Sequence, residues 1–304
     1  MSATVAITQD REDIGRAVHA ALRHLELAPL VQGKLVAVKP NETWASESDT
    51  TAVTQGDTLA AVLEAMQRHE PRELVVTGGA GAAETEDVFR LSGMLDAVRE
   101  AGVELVDHNR PPFTEVTLEY APERDVAGPQ RTVRVNPRVL EYETLIVVSQ
   151  LKLHRTATVT MALKNVAMSY PAADYYGHPR STQEHQHAFF NDMHSFIAAM
   201  AKRFPIHLAI TVGHPAMIAT GPTGGIPVET GLVIASTDAL AADCVGARLL
   251  GFTPQAVRHL WEAERLGLGE TDTSRMVYPA MSLDDAAKAF TEAAYGKAIT
   301  LKGA

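Results

Sequence analysis

The sequence predicts an α/β fold: a largely parallel sheet covered by helices on both faces, with a small antiparallel insertion. Three observations carry this expectation. Short aliphatic and β-branched runs alternate with amphipathic segments along most of the chain, as strands joined by crossover helices do. Leu145–Val148 is four consecutive apolar residues with no polar side for solvent, which suits a strand buried on both faces. The residues just after the runs are mainly glycines, cations and polar groups, the composition of strand ends that face a ligand in open α/β sheets.

Taken in order, Asp10–His24 reads as a helix, with Ile14, Val18, Ala21 and Leu22 at helical spacing. Leu35–Lys39 follows as the first strand, closed by Pro40. Asp57–Arg68 sets Leu59, Val62, Leu63 and Met66 on one helical face, and Leu74–Thr77 is the next strand, ending in Gly78-Gly79-Ala80-Gly81. Phe89–Ala101 is a helix and Val103–Asp107 a strand. Between Pro111 and Pro137 the rhythm breaks, with antiparallel pieces expected at Glu115–Glu119 and Thr132–Val135. After Leu145–Val148, the polar, proline-interrupted run Asp174–His187 reads as a loop or lid. Asn191–Arg203 is helical, Leu208–Val212 a strand, Pro215–Pro227 a glycine-rich loop and Leu232–Ser236 a strand. Asp238 caps an alanine-rich helix to Leu250, since its carboxylate can accept from the first free N–H groups. Pro254 opens the next helix in its first turn, and Leu283–Ala294 is a final amphipathic helix. The chain is one α/β unit over residues 1–304, or two lobes, 1–110 and 140–304, connected by 111–139.

Composition narrows the functional classes. With 304 residues, 46% hydrophobic and 21% charged, the chain can bury a sizeable core. Its formal charge of −10 argues against a general nucleic-acid surface, so an anionic ligand must be met by a local positive pocket. Cys244 is the only cysteine, which excludes an intrachain disulfide and an iron–sulfur cluster held by this chain alone. No stretch is apolar and long enough for a membrane span and the N-terminus has no apolar leader core, so the expected location is cytoplasmic. Oligomeric state has no signal in the sequence.

The densest chemistry lies in LIVVSQLKLHRTATVTMALKNVAMSY, residues 145–170. Lys152, His154 and Arg155 come soon after the strand, and Lys164-Asn165 interrupts the apolar segment Val159–Met168. Two readings of Lys164 stay open. Its stem could cover apolar neighbours with the ammonium in water, or the ammonium could point into a pocket, where desolvation makes it a base, an anion clamp or a covalent tether. His154 and Lys164 are ten residues apart, so they can share a site only if the chain turns between them; Thr156, Thr158 and Thr160 allow such a turn or a late helix start.

The string LKLHRTATVTMALKNVAMSY, with VKPN at Val38–Asn41 and the later GPTGG, TDALAAD and LLGF, resembles domain-of-unknown-function family 362 from about Lys34 to Gly269. Many members of that family carry ferredoxin-type cysteine clusters, which this chain lacks. A more distant similarity is to the lactate racemase group, in which a nickel-pincer cofactor is tethered to a lysine ten residues after a histidine. His154 and Lys164 match that spacing, so this resemblance implies a pincer-type cofactor on Lys164.

The resulting expectation is an enzyme, isomerase-, racemase- or lyase-like, that moves a proton or hydride next to the charged group of a small carboxylate. Lys39 and Lys152 clamp the anion, His154 is the general acid–base, and Lys164 is a second base or the tether. Asn41 and Asn165 orient substrate oxygens or the histidine. Gly79, Gly224 and Gly225 form an anion nest or merely tight turns. Asp238 is a further strand-end candidate beside its capping role. His178, His185, His187 and His214 are acceptable ligand types for a divalent metal, or belong to a solvated lid. The alternative is an anion- or metallocofactor-binding protein without catalysis, using the same lysines. Neither reading involves nucleic acid or a membrane.

Overall fold

Successive side chains on a strand point to opposite faces, so a strand buried on both sides feeds two separate apolar layers. The computed structural model describes residues 2–121, 131–173 and 192–301 and shows that arrangement. Its elements are β1 (Ala6–Gln9), α1 (Ile14–Leu22), α2 (Ala28–Val31), β2 (Leu35–Lys39), α3 (Gly56–Gln67), β3 (Glu73–Gly78), α4 (Thr85–Leu91), α5 (Met94–Ala101) and β4 (Glu104–Asp107). Then come β5 (Thr114–Thr117), β6 (Thr132–Val135), β7 (Thr144–His154), β8 (Thr158–Val159), α6 (Met161–Ser169), α7 (Met193–Arg203), β9 (Leu208–Ile218) and β10 (Ile226–Val228). The chain continues with β11 (Leu232–Ser236), α8 (Ala239–Leu249), α9 (Arg258–Arg265) and α10 (Leu283–Tyr295).

The main sheet runs β1-β11-β9-β7-β2-β3-β4, with β10 beside β9 and β8 beside β7. From β9 to β4 the strands are parallel, while β11 and β1 add an antiparallel edge. Val36, Val38, Ile146 and Val148 pack with Val18 of α1 and Leu63 of α3 on one face. Ala37, Leu145 and Val147 pack with Val166 of α6, Ile197 of α7 and Val245 of α8 on the other. The expected insertion is the separate antiparallel pair β5–β6. Among the described residues, no helix is long and apolar enough to cross a membrane.

Strand order fixes where a ligand can sit. From β2 the chain moves outward through β3 to β4, whereas β7 lies on the other side of β2 and leads to β9. The direction of winding therefore changes between β2 and β7, and the crevice beyond their carboxyl ends is open to loops from both halves. Lys39 ends β2 opposite Val147, but β7 runs on to His154 and turns back through β8, where His154 pairs with Thr158. The helix α6 then begins. Thr158 and Met161 sit in left-handed backbone, with φ of 71° and 45°, a conformation that costs about 1–3 kcal/mol per non-glycine residue.

Several elements differ from expectation. The strand β1 was not anticipated because it is only four residues long and relies on β11 for pairing. The helix expected at Phe89–Ala101 is two, parted at Ser92-Gly93. Strands β7 and β9 are each 11 residues long, well beyond Val148 and Val212. The segment Pro215–Pro227 is a loop only over 219–225, since β9 continues to Ile218 and pairs with β10. Pro227 is tolerated there because β10 lies on the margin of the sheet. The expected lid, Asp174–His187, lies outside the described residues.

Candidate functional site

A cavity of about 30 Å³ lies beyond the carboxyl ends of β2, β3 and β7, at the change of winding. Asn41 and Glu42 enter it after β2, Gly79 after β3 and His154 at the end of β7. The helix α6 supplies Lys164, Asn165 and Ser169, with Thr160 just before it, and Pro222 reaches in from the β9–β10 connection. The tight β7–β8 turn is what brings His154 and Lys164 to one cavity.

Lys164 is 5% exposed, yet it makes no hydrogen bond or ion pair among the described residues. Burial lowers its pKa to about 7. The His154 Nδ1 accepts from the backbone N–H groups of Thr156 and Ala157, both at 3.1 Å. Two donors on Nδ1 leave the ring proton on Nε2, so the neutral ring is a donor from that side. Two further polar atoms of cavity-lining residues, Asn41 Oδ1 and Thr160 Oγ1, are buried without a hydrogen-bond partner among the described residues. Leaving such atoms unpaired costs free energy, and ligand-binding cavities are where that cost is offset.

Behind the cavity lies a network that the sequence reading passed over. Lys39 donates to both oxygens of Glu42 at 2.8 Å and to Asn165 Oδ1 at 3.0 Å. Glu42 Oε1 also accepts from Ser169 Oγ at 2.6 Å and from the Gly79 N–H at 3.0 Å. Burial lowers the pKa of Lys39, with the Glu42 charge opposing it. Ser169 meets the ring of His108, whose Nε2 lies 2.9 Å from the Ser169 hydroxyl. Gly79 is glycine for lack of room, because a Cβ there would stand 2.3 Å from His108 Nε2. Glu42 lies one residue beyond the Val38–Asn41 motif, and its i+3 spacing from Lys39 is the signal that marks it as a partner.

Asp243 on α8 is the second missed residue. Its two carboxylate oxygens accept from the N–H groups of Ala162 and Leu163, each at 2.9 Å, so these first amides of α6 are not available to a ligand. Burial raises its pKa to about 7, with those two hydrogen bonds opposing the rise. A lone acid within an alanine-rich apolar helix is the same kind of signal as Lys164, and it could have been read the same way.

Of the residues expected in the site, His154, Lys164, Asn41, Asn165 and Gly79 do meet at the cavity. Lys39 stands directly behind it with its ammonium taken up by Glu42 and Asn165. Lys152 is fully buried and donates to the Ala52 carbonyl at 2.5 Å. Burial, then the Lys164 charge, pushes its pKa far down. The expected lysine clamp is thus turned inward. Gly224 and Gly225 shape the β9–β10 connection: Gly224 has a φ of +69°, and a Cβ on Gly225 would lie 2.3 Å from the Thr220 carbonyl oxygen. Asp238 caps α8 by accepting from the Ala241 N–H, away from the cavity. His214 lies between Glu229 and Asp57, at 2.7 and 3.0 Å, and these carboxylates raise its pKa to about 10. Both its nitrogens donate, so it is a charged ion-pair partner and has no lone pair for a metal. His178, His185 and His187 lie outside the described residues, and among the described ones no group of three or more His, Cys, Asp or Glu side chains is placed to hold a metal.

The pincer cofactor does not fit the residues around Lys164. A cavity of about 30 Å³ holds about two waters, far less than a pyridine-based group needs.

Comparison with known proteins places these features in a family. A crystal structure of a Thermotoga maritima protein is similar with a TM-score of 0.46 and 14% identity; 79% of this chain aligns, spanning 58% of that one. The thylakoid-associated protein sll1697 of Synechocystis sp. is 25% identical over 249 residues, which are 81% of this chain and 72% of that protein. The lactate racemase likeness finds no support in these matches. The family model described as Domain of unknown function (DUF362) matches residues 36–248, a span that contains all the residues lining the cavity. The chain belongs to the DUF362 family.

Proposed function

We propose that this protein is an enzyme that takes a small carboxylate into the cavity and moves a proton at the carbon beside the carboxylate, with Lys164 as the base. The supporting observation is a buried lysine without a partner among the described residues, its pKa near 7, in a cavity with unpaired polar atoms. Above that pH the amine has a lone pair for a substrate proton; below it, the ammonium attracts the anion but cannot act as base. His154 serves as an oriented donor. Its Nε2–H faces a carboxylate oxygen and stabilises the negative charge that grows there as the proton leaves. This replaces the expectation of His154 as the acid–base group, because its Nδ1 is held as an acceptor. Thr160 offers a second donor, and Lys39 with Glu42 holds Asn165 and Ser169 in place from behind. The cavity takes the carboxylate head of the substrate.

Hydrogen exchange into substrate tests the proposal without knowledge of the product. Two- to four-carbon carboxylates incubated with the protein in D₂O should lose the proton beside the carboxylate, at a rate that rises with pH through about 7 and vanishes in Lys164→Met. Binding of such carboxylates that weakens above that pH, with no exchange, would instead establish a non-catalytic anion-binding protein.

A further inference from the structure

We propose that Lys164 is a carboxylation site: its amine takes up carbon dioxide as a carbamate, which fills the cavity and switches off the proton transfer proposed above. The inference rests on that reading for what is switched off, but the modification itself stands on the cavity. Size comes first. About 30 Å³ is room for about two waters, and a carbamate adds three heavy atoms to the lysine nitrogen, which suits such a space. Larger carbonyl compounds that could condense with an amine do not.

The lining supplies what a carbamate needs. Its N–H requires an acceptor, and Asn41 Oδ1 is a buried one without a partner among the described residues. Its oxygens require donors, and the buried Thr160 hydroxyl, also without a partner among the described residues, lines the same cavity as His154 with its Nε2–H. Charge favours the same outcome. The Lys164 ammonium helps to lower the pKa of Lys152 and of His259, both fully buried, and a carbamate in its place acts on both in the opposite direction. Glu42 is the nearby carboxylate that would oppose the new anion, and its oxygens are occupied by Lys39, Ser169 and Gly79.

The step balances without an oxidant or reductant. The lone pair of the neutral amine forms the N–C bond to carbon dioxide, one C=O pair moves onto oxygen, and the nitrogen gives one proton to water: R–NH₂ + CO₂ → R–NH–CO₂⁻ + H⁺. In the product the nitrogen lone pair is delocalised into the new carboxylate, so the nitrogen is no longer the base, and that carboxylate lies where the substrate's would. Small carboxylates and carbon dioxide therefore compete.

The test uses the full chain equilibrated with ¹³C-bicarbonate, trapped by alkylation with triethyloxonium and mapped by peptide mass spectrometry. Most of the Lys164 peptide should carry an ethyl carbamate, and excess acetate should reduce it severalfold. In ¹³C NMR the carbamate resonance should be missing from Lys164→Met, while that of the N-terminal amine remains. An unmodified Lys164 in wild-type protein whose N-terminal amine is trapped overturns the proposal, and that readout needs no variant. The two readings fail separately: an unmodified Lys164 that still promotes exchange into substrate removes the carbamate and leaves the base.

Discussion

Replacing Lys164 by methionine removes a charge that the folded chain is forced to bury, while keeping a flexible side chain of similar volume. The size of the effect follows from the pKa. An ordinary lysine titrates at 10.5 and Lys164 at about 7, and each pH unit between is worth about 1.4 kcal/mol. In that window the unfolded chain binds a proton that the folded chain releases, so folding gains stability as pH rises and loses it as pH falls. The cost to wild type is fully present below about 7 and gone above 10.5. At neutral pH it amounts to about 4 kcal/mol, so Lys164→Met should be the more stable protein, and the inactive one. Urea unfolding at several pH values between neutrality and pH 10 should show the two stabilities converging by about 1.4 kcal/mol per pH unit. A gap that stays constant with pH, or a variant less stable throughout, would refute the claim that Lys164 is a desolvated amine.

Glu42→Gln should destabilise the fold by about 3 kcal/mol or more, because it leaves the buried Lys39 ammonium without its counter-charge; a thermal midpoint close to wild type would contradict that. His214→Gln should lose stability at pH 6, where the raised pKa of His214 makes its ion pairs with Asp57 and Glu229 fully effective, and the loss should fade as pH rises through about 10; scanning calorimetry at both ends of that range checks it. Cys244 is fully buried on α8 with its thiol pushed well up by burial. Native protein should therefore resist iodoacetamide until unfolded, and Cys244→Ser should keep activity; rapid alkylation of the native thiol would show the helix packing to be misjudged.

Much of the fold was legible because parallel strands buried on both faces leave unbroken apolar runs. Leu35–Lys39 and Leu232–Ser236 appear at their expected bounds. What went unseen were strands that stay polar. Gln150, Lys152 and His154 alternate with Leu151 and Leu153 at the period of a strand, but their charge suggested that β7 had ended. That misjudged end mattered for the site, since it placed Lys152 and His154 on a loop when they are fixed by sheet pairing. The site itself was legible in its cations and not in its carboxylates. Lys164 and His154 stood out against an apolar background, whereas Glu42 and Asp243 looked like ordinary acids in a chain with a formal charge of −10. Only tertiary structure shows that one neutralises Lys39 and the other caps α6 across 80 residues of sequence. The lysine clamp failed for the same reason, because a cation read without its partner looks available.

Burial in a polar cavity makes Lys164 an amine that gives up its proton near neutral pH. Titration of the wild-type protein by NMR, with ¹³C at the lysine ε-carbons, reads this directly, and Lys164→Met assigns the resonance. One resonance should have a midpoint at about 7, be missing from the variant and move up in pH when acetate occupies the cavity. A Lys164 resonance that titrates with the surface lysines, unaffected by acetate, would contradict it.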